Sequence, residues 1–291
     1  MNKELTIIIP SYRSKHLIIP LLNKYKYKYK FIIIENSFDK SFKQLIKKKY
    51  KNVEIYLKKN IGYGRAVNFA SRKVKTKFFF VTNPDSKFYK NTINNLIKAA
   101  KKIKKFGALS PINLFEKKKF KKNVFITKKK IIAAAMLIKT DIFKSLKGYD
   151  ENFFLYYEDN DFFLKCNSHN LKLYLITNSY FSHLKYSKKN KKLNLHSTKF
   201  KNFDEKKSTY AVGGWHGQWS KFYFNKKHKG FIKAFCLSFP SNFFNLIQML
   251  IYIFINHSKI KYKYYKIEGF FCSLIGLPSF KRSIFDTKNF L

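Results

Sequence analysis

Acidic residues are scarce in this chain of 291 residues: 16 Asp and Glu stand against 61 Lys and Arg, a formal net charge of +45. Such an excess ordinarily marks a nucleic-acid or anionic-membrane partner. Arginine is scarcer still, with only Arg13, Arg65, Arg72 and Arg282. Readers of phosphates and base edges favour the forked guanidinium, so its shortage counts against a dedicated nucleic-acid binder. Lys, Asn, Ile, Phe and Tyr are inflated together, as A+T-rich coding would produce, so much of the charge is a coding habit. Cys166, Cys236 and Cys272 are widely spaced, odd in number and free of any CxxC pattern, which excludes a disulfide framework and predicts buried thiols in a reducing compartment. The N-terminus shows no secretory signal, because a short apolar run ends at Pro10 with no small-residue cleavage site. No GxSxG elbow is present, so serine-hydrolase chemistry lacks support. Gly62-Tyr63-Gly64 fails as a dinucleotide fingerprint: Val67 stands where the third glycine belongs, and the loop follows the third predicted strand, not the first.

Apolar surface is plentiful. Hydrophobic residues make up 45% of the chain and aromatics 19%, enough to offset the entropy of ordering a core. At roughly 150 residues per domain, the length suits one large domain with an appendage or two smaller ones. Continuous β-branched and aromatic runs at Leu5 to Ile9, Phe31 to Ile34, Val53 to Leu57 and Phe78 to Val81 predict strands buried on both faces. Helical spacing fills the intervals Ser14 to Asn23, Ser41 to Lys49 and Gly64 to Lys73, and then Thr92 to Lys104. Four strands alternating with four helices predict an α/β fold on a mostly parallel sheet. Ligands bind such sheets beyond the carboxyl ends of the strands. The loops there are Pro10 to Arg13, Glu35 to Ser37, Asn60 to Arg65 and Asn83 to Ser86, all polar and rich in small residues. The lysine runs near 117–122 and 188–192 read as solvated connectors.

Residues 234–258 carry no formal charge, a length that could cross a bilayer. Asn242, Asn245, Gln248, Tyr252 and Asn256 recur every three or four residues and form one polar stripe on a helix. Pro240 predicts a break in it. The stripe and the flanking lysines favour a helix lying on a membrane surface over a packed core helix or a span.

The few acids are concentrated. Asp150, Glu151, Glu158, Asp159 and Asp161 are five of the sixteen, the last three within the aromatic stretch FFLYYEDNDFFLKC and the first two just before it. Aromatic neighbours desolvate carboxylates, raise their pKa and make them better bases, so a catalytic role is predicted. Asp85 follows the fourth strand, where a carboxylate can meet a divalent cation on a diphosphate. Trp215 and Trp219, four apart on a predicted helix, fit core packing as well as sugar stacking.

Taken together, the loops resemble those of the family 2 glycosyltransferases, in particular a rhamnosyltransferase-like bacterial branch, over roughly residues 4 to 235. TIIIPSYRS resembles the family's opening strand and nucleotide loop, IIIENSFD its second-strand motif and KKNIGYGRAVN its Asn-x-Gly loop. NPDS occupies the metal-binding position, and AAAMLIKTDIFKSLKGYDENFFLYYEDNDFFLKC resembles the acceptor-side segment almost throughout. The resemblance implies a GT-A fold, expected on residues 1–200, while the charge-free striped segment predicts a helical, membrane-apposed extension on 201–291. It implies an inverting transfer from a nucleotide-diphosphate sugar, with rhamnose as the sugar of the branch, to a lipid-linked or surface-polysaccharide acceptor on the cytoplasmic face of the membrane. Pro10, Tyr12, Glu35, Asn60, Gly62, Arg65 and Asn83 would line the donor pocket. Asp85, with His183, would hold Mg²⁺ or Mn²⁺. Asp159 would be the base, with Glu158 beside it, and Trp215 and His216 would stand on the acceptor side. The pattern departs from the family at three positions: Glu35 replaces a more usual Asp, Asn83 replaces the first Asp of the metal motif, and Lys165 stands where Arg is common. Two other readings stay open on sequence alone: a basic nucleic-acid or membrane-surface protein on a degenerate transferase fold, and a sugar nucleotidyltransferase.

Overall fold

The computed structural model describes residues 2–121, 123–183, 203–255 and 257–280. In chain order, its first part runs β1 (Leu5–Ser11), α1 (Lys15–Tyr25), β2 (Lys30–Glu35), α2 (Lys40–Lys49), β3 (Val53–Leu57), α3 (Tyr63–Lys73), β4 (Phe78–Thr82), β5 (Ser86–Phe88) and α4 (Thr92–Lys102). It continues with β6 (Ala108–Asn113), a 3-10 turn (Leu114–Lys119), β7 (Phe125–Lys128), β8 (Ala135–Lys139), α5 (Thr140–Ser145), α6 (Glu158–Ser168) and β9 (Leu173–His183). Three long helices follow: α7 (Phe203–Lys229), α8 (Phe231–Ile255) and α9 (His257–Leu274).

The strands form one nine-stranded sheet in the order β3-β2-β1-β4-β8-β6-β9-β5, with β7 on β9. β1 to β4 are mutually parallel where they pair, and β8 runs antiparallel to both β4 and β6. Successive strand residues point to opposite faces, and the core divides accordingly. Ile7, Ile9, Phe31, Ile33, Phe78 and Phe80 pack with Ile18, Leu22, Phe42, Ile46 and Leu96, which come from α1, α2 and α4. Ile8, Ile32, Ile34, Phe79 and Val81 pack with Ala66, Val67, Phe143 and Phe162, which come from α3, α5 and α6. Burial on both faces explains why the strand sequences are apolar runs and not alternating ones.

Contacts divide the chain into two compact units: residues 1–149 with 162–199, and residues 150–161 with 200–291. All five acids of the cluster therefore group with the later helices, although the sequence reading sets them inside residues 1–200.

In the helical unit, Phe222, Ala234 and Phe270 form an apolar centre. α7 and α9 approach so closely that a Cβ at Gly269 would run into the Trp215 carbonyl. α8 departs from expectation in two ways. It runs without a break through Pro240. A proline costs a helix about 3 kcal/mol, and the packing of α8 along its neighbours outweighs that cost. The polar stripe also faces inward, since Ala234, Ser238, Asn242 and Asn245 are its buried residues. Asn242 Nδ2 donates to Gln218 Oε1 at 3.2 Å, and Lys263 Nζ donates to Asn245 Oδ1 at 3.1 Å and to Gln248 Oε1. Asn256, the last residue of the predicted stripe, lies outside the described residues. Cys166 and Cys272 are buried free thiols as expected, with Cys166 pushed up to about 12 by burial, but Cys236 is exposed on α8.

Candidate active site

β1 and β4 are adjacent, while β2 and β3 lie beyond β1 on the other side. The chain therefore reverses its direction of winding between β1 and β4, and a crevice opens at the carboxyl ends of the strands at that point. The loops after β1, β2 and β3 are stitched together there. Glu35, at the end of β2, is buried and accepts from Ser11 Oγ at 2.6 Å, from the Ser37 backbone N–H at 2.9 Å and from Ser37 Oγ. The Ser37 hydroxyl in turn accepts from the Arg13 N–H at 3.3 Å, and the Asn36 N–H donates to Ser11 O at 2.8 Å. Asn36 Nδ2 donates to Gly62 O at 3.3 Å, and the Gly62 N–H donates to Asn60 Oδ1 at 3.2 Å. Gly62 holds φ of +81° as it caps α3, a conformation that favours glycine. Pro10 is buried in β1, while Tyr12 and Asn60 on these loops and Arg65 in the first turn of α3 are partly exposed.

The turn after β4 holds Asn83 and Asp85. The Asn83 N–H donates to Ala134 O at 3.1 Å, and the Ser86 N–H closes the turn on Asn83 O at 3.2 Å. Asp85 is buried. Asn83 Oδ1 is also buried and has no hydrogen-bond partner among the described residues. β5 pairs with β9 in a register that sets Ser86 opposite His183, so the backbone brings position 183 beside the Asp85 turn. The His183 side chain, the loop that follows it and the 188–192 lysine run lie outside the described residues. No group of three or more His, Cys, Asp or Glu that could hold a metal occurs among the described residues. The donors present are hard oxygens, an aspartate and an unsatisfied amide carbonyl, which suit Mg²⁺ or Mn²⁺ once substrate phosphate completes the shell.

In the other unit the acid cluster separates into two kinds. Asp161 is fully buried and accepts from Lys227 Nζ at 2.6 Å and His228 Nε2 at 2.8 Å. Asp150 accepts from the same ammonium at 2.7 Å and from Tyr223 OH at 3.1 Å. These two carboxylates anchor α7 through charge, whereas the sequence reading places them in the catalytic cluster. Glu158 is buried with no hydrogen-bond partner for Oε2 among the described residues, and burial first, then the neighbouring Asp159, pushes its carboxyl up to about 8. Asp159 is only partly buried, and its Oδ1 accepts from the Asn160 N–H at 2.7 Å and from Asn160 Nδ2 at 3.2 Å. Directly before this pair, Tyr156 and Tyr157 hold φ of +71° and +70°. Bulky residues in that region are strained, and such strain collects at functional sites. Trp215 and His216 are both fully buried, and the His216 ring stacks on Phe154 at 4.5 Å.

Asn68 on α3 adds a constraint that sequence reasoning missed. Its side chain accepts from the Tyr149 N–H and donates to Tyr149 O, both at 2.9 Å. Lys165, in the position where Arg was expected, donates to Gly148 O at 3.1 Å. Both hold the turn at Gly148, whose φ is +62°. A lone Asn on a helix face carries no signal of such a partner 81 residues away.

The family described as "Glycosyl transferase family 2" matches residues 6–165. No protein of curated function matches the chain in sequence. Among solved structures, the chain is similar to the mannosyltransferase PcManGT from Pyrobaculum calidifontis in complex with GDP-Man and Mn²⁺, at 12% identity and a TM-score of 0.56, covering 94% of this chain and 88% of that one. It is similar to S. aureus TarS 1-349 at 12% identity and a TM-score of 0.50, covering 94% and 92%. GalNAc-T7 with UDP, GalNAc and Mn²⁺ is similar at 14% identity and a TM-score of 0.51, covering 62% of this chain and 43% of that one, so the present chain spans less than half of its length. At these identities the likeness is one of fold, the mixed α/β sheet flanked by helices that is called GT-A.

Proposed function

The chain belongs to glycosyl transferase family 2 and is a glycosyltransferase, and from that premise we propose an inverting transfer of a sugar from a nucleoside-diphosphate donor to a lipid-linked or surface-polysaccharide acceptor. The observation that carries this reading is the set of strand-end loops stitched through Glu35 beside the buried Asp85 turn.

The donor falls to the first unit. Glu35 spends its oxygens on Ser11 and Ser37, so it shapes the nucleotide loop from beneath, and Pro10, Tyr12, Asn60 and Arg65 line it. The first turn of α3 carries no acid, and its N–H groups, together with Gly62 and Arg65, suit the negative charge of a diphosphate. Asp85 and Asn83 Oδ1 would hold Mg²⁺ or Mn²⁺, with position 183 alongside. That ion supplies charge neutralisation on the departing diphosphate.

Acceptor activation falls to Asp159, which takes the hydroxyl proton as the oxygen attacks the anomeric carbon. Glu158, raised to about 8, holds a proton at neutral pH, so the two neighbouring acids are split into different protonation roles. Trp215 and His216 serve the acceptor side from below, by fixing Phe154. A single displacement with no covalent sugar intermediate inverts the anomeric centre. The resemblance of the Asn83–Ser86 and Ala133–Cys166 segments to the rhamnosyl branch makes dTDP-rhamnose the first donor to test. The three free cysteines accord with a reducing, cytoplasmic setting.

A thermal-shift panel of nucleoside-diphosphate sugars, with and without Mn²⁺ or Mg²⁺, tests the reading. One donor is expected to raise the melting temperature in a concentration-dependent way, and Asp85→Ala is expected to remove the cation-dependent part of that shift. A panel in which no nucleotide sugar stabilises the chain contradicts it.

A further inference from the structure

α8 is turned inside out. Its buried residues are small or polar, Ala234, Ser238, Asn242 and Asn245, while Ile232, Phe243, Phe244, Ile251, Phe254 and Ile255 point outward. Ile232 is 77% exposed, Phe254 88% and Ile255 74%. The outward arc carries neither acid nor base between Ala234 and Ile255. A continuous apolar face of this length, about 33 Å at 1.5 Å per residue, exceeds what water-facing surfaces ordinarily tolerate. Lysines bracket it: Lys226, Lys229 and Lys233 are exposed at the start, and Lys259 and Lys261 are exposed after its end. No acid occurs between Lys206 and Ile267.

We infer that the outward face of α8 docks in the plane of an anionic lipid bilayer, with its apolar side chains in the acyl boundary and the bracketing lysines at the headgroups. This goes beyond the glycosyl-transfer reading and does not lean on it. Charge decides the occupant. A second copy of the chain would bring its own lysines and a net charge of +45 to the same face, whereas an anionic surface complements them. The inward seam decides the orientation. α8 is the one helix among the described residues long and apolar enough to cross a membrane. Crossing would take Asn242, Asn245 and the Lys263 ammonium that bonds Asn245 and Gln248 into hydrocarbon, or strip them of their partners. Lying flat leaves that seam intact and wets only the apolar arc with lipid.

The test is vesicle flotation of the purified full chain without donor, using phosphatidylcholine vesicles with and without phosphatidylglycerol. The wild type is expected to float with the anionic vesicles, less with the neutral ones, and less as salt rises. Phe243→Ser and Phe254→Ser are each expected to lower partitioning about tenfold, while Phe115→Ser, which alters an exposed phenylalanine in the sheet unit, leaves it unchanged. All three sites are exposed, and an unchanged melting temperature checks that the variants fold. Flotation that ignores the α8 substitutions overturns the inference. So does a wild type that stays with the soluble fraction, or one that self-associates through α8 without lipid and is made monomeric by the same substitutions. Because no donor is present, failure here leaves the donor-binding result standing, and the reverse also holds.

Discussion

Helices α4 and α8 draw on the same apolar residues and turn them in opposite directions. α4 buries Ile93, Leu96 and Ile97 against the sheet and sends Lys98, Lys101 and Lys102 outward. α8 buries Asn242 and Asn245 and sends Phe243, Phe244 and Phe254 outward. The first arrangement is what water selects, because apolar area leaves it and charge stays in it. The second is what an apolar surrounding, such as the lipid face inferred above, would select. The two helices thus turn opposite faces outward, and α8 does so in the most apolar, charge-free stretch of the chain.

The largest effects should come from the interiors. Phe80→Ala empties a fully buried site in the sheet core and is expected to cost about 3–5 kcal/mol in urea unfolding, whereas Phe254→Ala is expected to stay within about 0.5 kcal/mol. Equal losses would mean that Phe254 is interior and the contrast false. Asn242→Leu adds apolar surface, yet it leaves Gln218 without its donor inside the helical unit, so a loss of about 1–3 kcal/mol is expected. A gain would show that the seam is no true interior.

Glu158 sharpens the contrast more gently, through pH. Its folded pKa of about 8 lies above the ordinary 4.5, so the folded chain keeps a proton that the unfolded chain releases. The stability this contributes is complete below about pH 4.5 and is lost as pH rises through about 8. Glu158→Gln is neutral throughout, and its melting temperature should fall less than that of the wild type between about pH 5 and about pH 8. Parallel profiles would mean that Glu158 is solvated and ionised in the folded chain.

The first four strands and helices are legible in the sequence because each strand is a continuous apolar run, and β3 at Val53–Leu57 coincides with its run. The later strands are not. β7 at Phe125–Lys128 is a short outer strand with two exposed residues, and lysine-rich sequence around it hides the pattern. The acid cluster stands out by composition, but composition cannot divide it. What separates Asp150 and Asp161 from Glu158 and Asp159 is Lys227, more than 60 residues away from each of the first two. In α8, periodicity reveals the stripe and its spacing but carries no sign. Whether Asn242 faces solvent or a neighbouring helix depends on Gln218 and Lys263, which lie on other elements.

The proposed mechanism divides the labour between Asp85, at the donor, and Asp159, as the base. The most direct measurement compares donor affinity and sugar turnover in Asp159→Asn with those of the wild type. Donor affinity should stay within about twofold while turnover falls about 10²–10⁴-fold. Turnover close to wild type in that variant would contradict the claim.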